Sequence, residues 1–164
     1  INIINLIHII IKYINDIILP AVAEGAKRSN RDPRECELLW GGFIATGETE
    51  EDLKTAKRNV AARISFYAST RTYRPALDFH GWGDINEALH KLSIEGKWEE
   101  MFALVTDDMV ETLGFCGSGE EVANSLRKNL SPICSAAMWN EVEHLGTDHS
   151  KDAYVSNLIQ IAKG

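Results

Sequence analysis

The sequence has few cysteines and few basic residues, and each shortage excludes a class of protein. Its 164 residues include three cysteines, none of them in a CxxC pair, so neither a disulfide framework nor a zinc site is predicted. Cysteines within apolar runs are typical of buried thiols in a reducing cytoplasm, where we expect this protein. Lysine and arginine number 17 against 24 acidic residues, a formal charge of −7. Because an acidic surface repels phosphate backbones, we expect no nucleic-acid partner.

Several common catalytic and binding motifs are also absent. The sequence has no GxSxG, no P-loop and no dinucleotide-binding GxGxxG, so none of these sites is predicted. Gly117–Gly119 at a helix start could bind an anion, but the carboxylates of Glu120 and Glu121 already occupy that positive end. His144 and His149 are five apart without a third well-placed ligand, so no metal site is predicted.

The isoleucine-rich start is not a continuous apolar run. Polar side chains such as His8, Lys12 and Asp16 interrupt residues 1–19, and burying that many polar groups in hydrocarbon costs several kcal/mol each. We therefore predict no membrane span. A basic start followed by a small-residue cleavage site is lacking, so no signal peptide is predicted. Residues 1–15, which begin without methionine, are interpreted as a truncated or misframed start, and residues 16–164 as one domain.

The rest of the chain alternates helical and strand-like segments. Apolar spacing predicts an amphipathic helix over 14–29 with a kink at Pro20. Apolar runs at 36–46 and 132–139 predict strands that are covered on both faces, as in parallel sheets. This order predicts the α/β class, helix-rich, with two to three parallel strands. So few strands cannot close a barrel, so we expect the fold to be incomplete.

Helix starts are predicted from capping pairs, in which an acidic residue follows a capping residue by three positions. The pairs are Thr49 with Asp52, Asp84 with Glu87, and Ser118 with Glu121. Towards the end of the chain, residues 140–150 are polar and predict a loop, and apolar spacing over 152–163 predicts a terminal helix.

The most unusual stretch is Tyr67–Asp84, YASTRTYRPALDFHGWGD, called here the aromatic segment. It is bulky, keeps neither a helical nor a strand period, and lies between two predicted helices. Ordering such a segment is costly unless its rings pack into something. We interpret it as the lining of a pocket, and a loop that caps the end of a core is the alternative.

Two runs carry a resemblance to a known family: TGETEEDLKTAKRNVAARISFYASTRTYRPALDFHGWGD and LHKLSIEGKWEEMFALVTDDMVETLGFCGSGEEVANSLR. They resemble the luciferase-like monooxygenase superfamily, and more narrowly its F420-dependent oxidoreductases, over roughly residues 16–138. The resemblance implies that residues 16–164 are the C-terminal portion of a TIM-type (β/α)8 barrel, with strand seven at 36–46 and strand eight at 132–139. The working face of such barrels lies where strands end, so the chain after Thr46 and Trp139 is expected there.

The resemblance also implies a function. It indicates an oxidoreductase, monooxygenase-like, that uses a reduced flavin or deazaflavin coenzyme for hydride transfer to or from a small organic substrate. Coenzyme F420 is implied, with FMN as the alternative. The family's phosphate-binding turn would lie upstream of residue 1, so the isolated chain is expected to be inactive. The alternative is a non-catalytic barrel remnant that acts as an interaction or structural module, for which a homo-oligomer is one form.

Two arginines are the charged candidates in the aromatic segment. Arg74 is a candidate for the substrate pocket and Arg71 for the coenzyme, because a guanidinium offers forked donors to a carboxylate or phosphate. The alternative is a surface arginine paired with Asp78 or Asp84.

Three ring side chains complete the candidate substrate pocket. His80 lies in FHGWG, where a neutral imidazole could bond a substrate carbonyl or relay a proton. A hydrogen bond from His80 to the backbone of its own turn is the alternative. Tyr73 and Trp82 could stack on a planar ring, with core packing as the alternative.

Overall fold

The structure, a computed structural model, describes residues 2–7 and 11–137. The strands are β1 Asn2–Ile7, β2 Cys36–Gly41, β3 Phe43–Thr46, β4 Gly114–Gly117 and β5 Ala136–Ala137. The helices are α1 Ile11–Tyr13, α2 Leu19–Arg28, α3 Glu50–Ala68, α4 Arg74–Phe79, α5 Gly83–Glu95, α6 Trp98–Ala103, α7 Asp107–Leu113 and α8 Gly119–Leu130. A π-helical turn, Ile14–Ile18, and two 3-10 turns, Pro33–Glu35 and Arg71–Tyr73, complete the described elements.

The strands form two small parallel sheets. Sheet A has the order β1-β2-β5, and sheet B consists of β3 and β4. β2 and β3 are separated only by Gly42, so the predicted strand over 36–46 is found as two strands that change partners at this glycine. The class is α/β with parallel strands, as predicted.

The helical connection between β1 and β2 is irregular just before Pro20, where the sequence predicts a kink. The π-helical turn Ile14–Ile18 leads into α2, which has Pro20 in its first turn. Proline lacks an N–H and crowds the preceding turn, so a wider turn before it relieves the clash. The parallel strands β1 and β2 and the helices between them form a β-α-β unit.

Two of the three predicted capping pairs are present. Asp52 N–H donates to Thr49 Oγ1 (3.1 Å) at the start of α3, and Ser118 and Glu121 form the same reciprocal pair at α8. The prediction for Asp84 is wrong, because α5 already begins at Gly83 without a side-chain cap. Trp82 N–H donates to Leu77 O (2.9 Å), so the turn after α4 runs directly into α5.

The remaining differences concern the last part of the chain. β4 was not predicted, because a four-residue strand with two glycines has little intrinsic strand preference and forms here by pairing with β3. The strand predicted over 132–139 is found as β5, Ala136–Ala137, within the described residues. The loop predicted over 140–150 and the helix predicted over 152–163 lie outside the described residues.

Two hydrophobic cores meet at the continuous run of β2 and β3. The sheet core consists of Ile14, Leu38, Trp40, Ile44, Val122, Leu126 and Leu130. The helical core consists of Phe43, Ala45, Ala56, Val60, Ile64, Ala68, Leu77, Leu89, Met101, Val105, Met109, Val110 and Leu113. Since side chains alternate along a strand, Ile44 belongs to one core and its neighbours Phe43 and Ala45 to the other.

Burial changes along this run. All four residues of β3 are buried, whereas in β2 the side chain of Glu37 is exposed and that of Leu39 is half-buried. The predicted covering of both faces therefore holds for β3 and not for the first half of β2. Among the described residues, no helix combines the length and apolar character that crossing a bilayer requires.

Candidate functional site

The aromatic segment lies against the helix that follows β1. Phe79 packs edge-on against Tyr13, with ring centroids 5.3 Å apart, and Lys12 Nζ lies 4.4 Å from the centroid of the Phe79 ring. Lys12 and Tyr13 belong to α1, which begins shortly after β1 ends at Ile7, opposite the end of β2. The segment is therefore beside the carboxyl edge of sheet A, the edge at which parallel α/β folds bind ligands.

The tyrosine of the candidate pocket lies towards the helical core. Tyr73 packs edge-on against Tyr67, with centroids 5.9 Å apart, and Tyr67 in turn lies 6.0 Å from Phe43 at the start of β3. Tyr73 is half-buried, and this burial raises the pKa of its hydroxyl. The ring therefore joins the aromatic segment to the sheet.

Arg74 forms ion pairs with two carboxylates. Its guanidinium bonds Glu87 of α5, and its Nε lies 3.5 Å from Asp78 Oδ2. The hydrogen bond to Glu87 raises the pKa of Arg74. Asp78 is one of the two partners considered from the sequence, while Glu87 was missed because it lies on the next helix. These contacts fasten α4 to α5.

Arg71 takes part in a chain of hydrogen bonds. Its Nε donates to His90 Nε2 (3.3 Å), so the proton of this imidazole lies on Nδ1 and is donated to Ser69 O (3.1 Å). Asn86, also on α5, donates from Nδ2 to Ala68 O (2.5 Å). Asn86 is 1% exposed, so this buried amide holds the beginning of the aromatic segment against α5.

His80 and Trp82 are the residues of the segment that are best suited to contact a ligand. Their rings are stacked, with centroids 5.0 Å apart and an interplanar angle of 28°. His80 Nε2 is buried and has no hydrogen-bond partner among the described residues. Burial lowers the pKa of His80, and the charge of Lys12 lowers it further. A neutral imidazole with an unsatisfied buried nitrogen is costly unless a ligand or water bonds it.

A cavity of ≈ 370 Å³ is lined in part by Lys12, Trp40, Phe115, Ser125 and Asn129. Two further cavities, of ≈ 460 and ≈ 470 Å³, lie along α2 and α3. The aromatic segment lines none of these three cavities. Lys12 connects it to the first, because this lysine contacts the Phe79 ring and also lines the cavity.

Lys12 and Tyr13 were missed as site residues because residues 1–15 were interpreted as a segment apart from the domain. The four-residue spacing of Lys12 and Asp16, which form an ion pair of 2.7 Å, was the available signal for a helix there. Between residues 11 and 137, no group of three or more His, Cys, Asp or Glu side chains is arranged for a metal ion. His144 and His149 lie outside the described residues.

Comparison with known proteins identifies the family. The profile of the luciferase-like monooxygenases matches residues 12–132. Three uncharacterized proteins, from two strains of Mycobacterium tuberculosis and from Mycobacterium bovis, are each 36% identical over 122 residues, which is 74% of this chain and 36% of theirs. The chain therefore spans about a third of the length of the curated relatives it matches.

A solved structure supports the fold. The coenzyme F420 dependent tetrahydromethanopterin reductase of Methanopyrus kandleri matches with a TM-score of 0.57 and 19% sequence identity. The match covers 73% of this chain and 33% of the reductase. The described helices and parallel strands thus have the architecture of part of a luciferase-like barrel.

Proposed function

Because the chain belongs to the luciferase-like monooxygenase family, we propose that it is the C-terminal part of an oxidoreductase that transfers hydride between a reduced flavin or deazaflavin coenzyme and a small organic substrate. The observation that carries this proposal is the unsatisfied His80 Nε2 beside Trp82 at the carboxyl edge of sheet A. Coenzyme F420 is the proposed coenzyme, since the similar reductase is F420 dependent, and FMN is the alternative. The expected compartment is the cytoplasm.

The described residues fit the ring or substrate side of such a site better than the phosphate side. Arg74 is engaged by Glu87 and Asp78, and the Nε of Arg71 by His90, so neither guanidinium is fully available to a phosphate. His80 and Trp82 together offer a hydrogen-bonding nitrogen and a planar apolar face. When bound, the coenzyme supplies or accepts the hydride.

The proposed roles of the chain's own residues follow from these contacts. His80, kept neutral by burial, bonds a polar atom of the substrate through Nε2. Trp82 forms an apolar wall that excludes water from the reacting atoms. Arg74 and Tyr73 position α4, and the N–H groups of Arg74 that its carboxylates leave unused can bond a substrate oxygen.

Binding of the coenzyme tests this proposal. The 164-residue chain is titrated with oxidised F420 and with FMN while the fluorescence of each is followed, in the wild type and in Trp82→Leu and His80→Gln. We expect weak binding, about millimolar, because most of the barrel lies outside the chain, and a further loss in both variants. His90→Gln is the matched control. If Trp82→Leu and His80→Gln both bind like the wild type and the control, these residues do not form the site.

A non-catalytic role as an interaction module is the second candidate. The observation that favours it is the face of β2 on which Glu37 is exposed and Leu39 half-buried, because an apolar side chain that keeps contact with solvent can be covered by a partner. Association of two copies through this face would appear as a dimer in analytical ultracentrifugation at micromolar concentration. A compact monomer under these conditions would count against this role.

A further inference from the structure

The cavity beside Lys12 has an aromatic wall suited to a planar molecule. Trp40 and Phe115, which line it, pack edge to face with centroids 5.3 Å apart and an interplanar angle of 72°. Its volume of ≈ 370 Å³ is at the lower end of the roughly 300–1,000 Å³ range of ligand pockets. The cavity therefore has room for one small ring.

The cavity also has polar lining residues. Ser125 and Asn129 lie one helical turn apart on α8 and both line the cavity. Asn129 donates from Nδ2 to Ser125 O (2.9 Å), and this bond orients the amide and leaves its oxygen as an acceptor. A ligand in the cavity thus meets both aromatic rings and hydrogen-bonding groups.

The charges at the cavity favour a single negative charge. Lys12 Nζ bonds Asp16 Oδ2 at 2.7 Å, but its side chain is 67% exposed and an ammonium has further N–H donors. Glu111, which also lines the cavity, is paired with Lys57 at 2.5 Å. Both charged lining residues thus have a partner of opposite charge, and a negatively charged ligand can bond the N–H donors of Lys12 that Asp16 leaves unused.

We propose that this cavity binds a small planar carboxylate, with its charged group at Lys12 and its ring against Trp40 and Phe115. A monoanion fits better than a phosphate dianion, because a single lysine already shared with Asp16 is present, whereas phosphate sites use several N–H groups or forked arginines. Binding of such a molecule needs no coenzyme, so the site is independent of the proposed redox reaction.

Three small probes test the site in a ¹⁵N NMR titration of the whole chain. Benzoate has both the ring and the charge, benzamide has the ring alone, and inorganic phosphate has charge without a ring. We expect benzoate to shift the amides of Gly114, Phe115 and Cys116, which line the cavity, and to bind about fivefold tighter than benzamide, the value of a partly exposed ion pair. Phosphate should leave these amides unchanged.

Matched variants separate the lysine from general effects of charge. Lys12→Met should bind benzoate and benzamide alike, Lys12→Arg should keep the preference for benzoate, and Lys54→Met, which removes an exposed lysine of α3, should behave as the wild type. The proposal is overturned if benzoate shifts other amides, if no probe binds, or if Lys12→Met retains the preference. Failure of the coenzyme titration would leave this result unaffected, so the two proposals fail separately.

Discussion

The two hydrophobic cores share one strand run and differ in how completely they are covered. The helical core surrounds Phe43 and Ala45 with α3, α5, α6 and α7, and its members include Leu89 and Met101 at 0% exposure. The sheet core has α1, α2 and α8 on one side of sheet A, while Glu37 and Leu39 on the other face retain contact with solvent. The helical insertion is thus the more self-contained region.

This difference concerns the strands that have further neighbours in a whole luciferase-like barrel. A luciferase-like barrel surrounds strands such as β2 with neighbouring strands and side chains on the inner face. The chain spans about a third of its relatives' length, and the residues left uncovered belong to sheet A. The aromatic segment joins the two regions through the contact of Phe79 with Tyr13. A substitution in either core should therefore affect this contact.

The largest expected effect on the free energy of unfolding comes from replacing one leucine of each core by alanine. Leu89→Ala removes a side chain of 0% exposure from the helical core, and Leu126→Ala removes one of 9% exposure from the sheet core. We expect losses of about 3–5 and about 2–3 kcal/mol in the free energy of unfolding, because a cavity costs more where the surroundings cannot collapse. Urea denaturation followed by circular dichroism measures both. Equal losses, or a larger loss for Leu126→Ala, would contradict the ranking of the cores.

The next effect is at Gly42, where the two cores meet. A Cβ at this position would lie 2.1 Å from the Trp40 ring, so Gly42→Ala must displace an indole that is 2% exposed. We expect a loss of about 1–3 kcal/mol from overpacking. Gly25→Ala in α2 is the control, because its Cβ would meet nothing within 4 Å and alanine favours a helix by about 0.5–1 kcal/mol. Melting temperatures should therefore move in opposite directions.

Smaller losses of stability are expected when either of the two capping boxes is removed. Thr49 caps the start of α3 in the helical region, and Ser118 caps the start of α8 against the sheet. Replacing either by alanine should cost about 1 kcal/mol. Amide hydrogen exchange distinguishes the regions: we expect Thr49→Ala to speed exchange in α3 and Ser118→Ala to speed exchange in α8. Faster exchange throughout the chain in both variants would mean that the two cores open as one unit.

What could be predicted from the sequence was local. The capping pairs at Thr49 and Ser118 were predictable because both partners lie within one turn, and the run over 36–46 because its apolar residues are continuous. Pairings across the chain were not predictable. The change of sheet at Gly42 depends on β4, whose short glycine-containing sequence carries no strand signal of its own.

In the candidate site, too, local features were predictable and contacts between distant residues were not. The aromatic segment stood out by its composition, and Asp78 was within reach of Arg74 along one helix. The partners on other elements could not be predicted from the sequence. They are Glu87 and Asn86 on α5, and the residues of α1 that contact Phe79. Tertiary packing alone brings these groups together, so one sequence taken by itself offers no signal for them.

The smallest expected effect is a pH dependence at the contact between the two regions. Burial, and then the charge of Lys12, lower the pKa of His80 in the folded chain, so the unfolded chain binds the proton more readily. Stability should therefore be complete above the ordinary histidine pKa of about 6.5 and decline as the pH falls through that value towards the lower folded pKa. Because a charged His80 would stand beside Lys12 and next to the stacked Trp82, protonation should loosen the aromatic segment from α1.

A comparison of the His80→Gln variant with the wild type measures this effect. Denaturation midpoints at about pH 5.5 and about pH 7.5 should differ less in His80→Gln than in the wild type, because glutamine does not titrate. An unchanged pH difference in His80→Gln would show that this histidine is equally solvated in the folded and unfolded chain. The contact between the two regions would then carry no titrating group, and its stability would depend on the packing of Phe79 against Tyr13 and Lys12 alone.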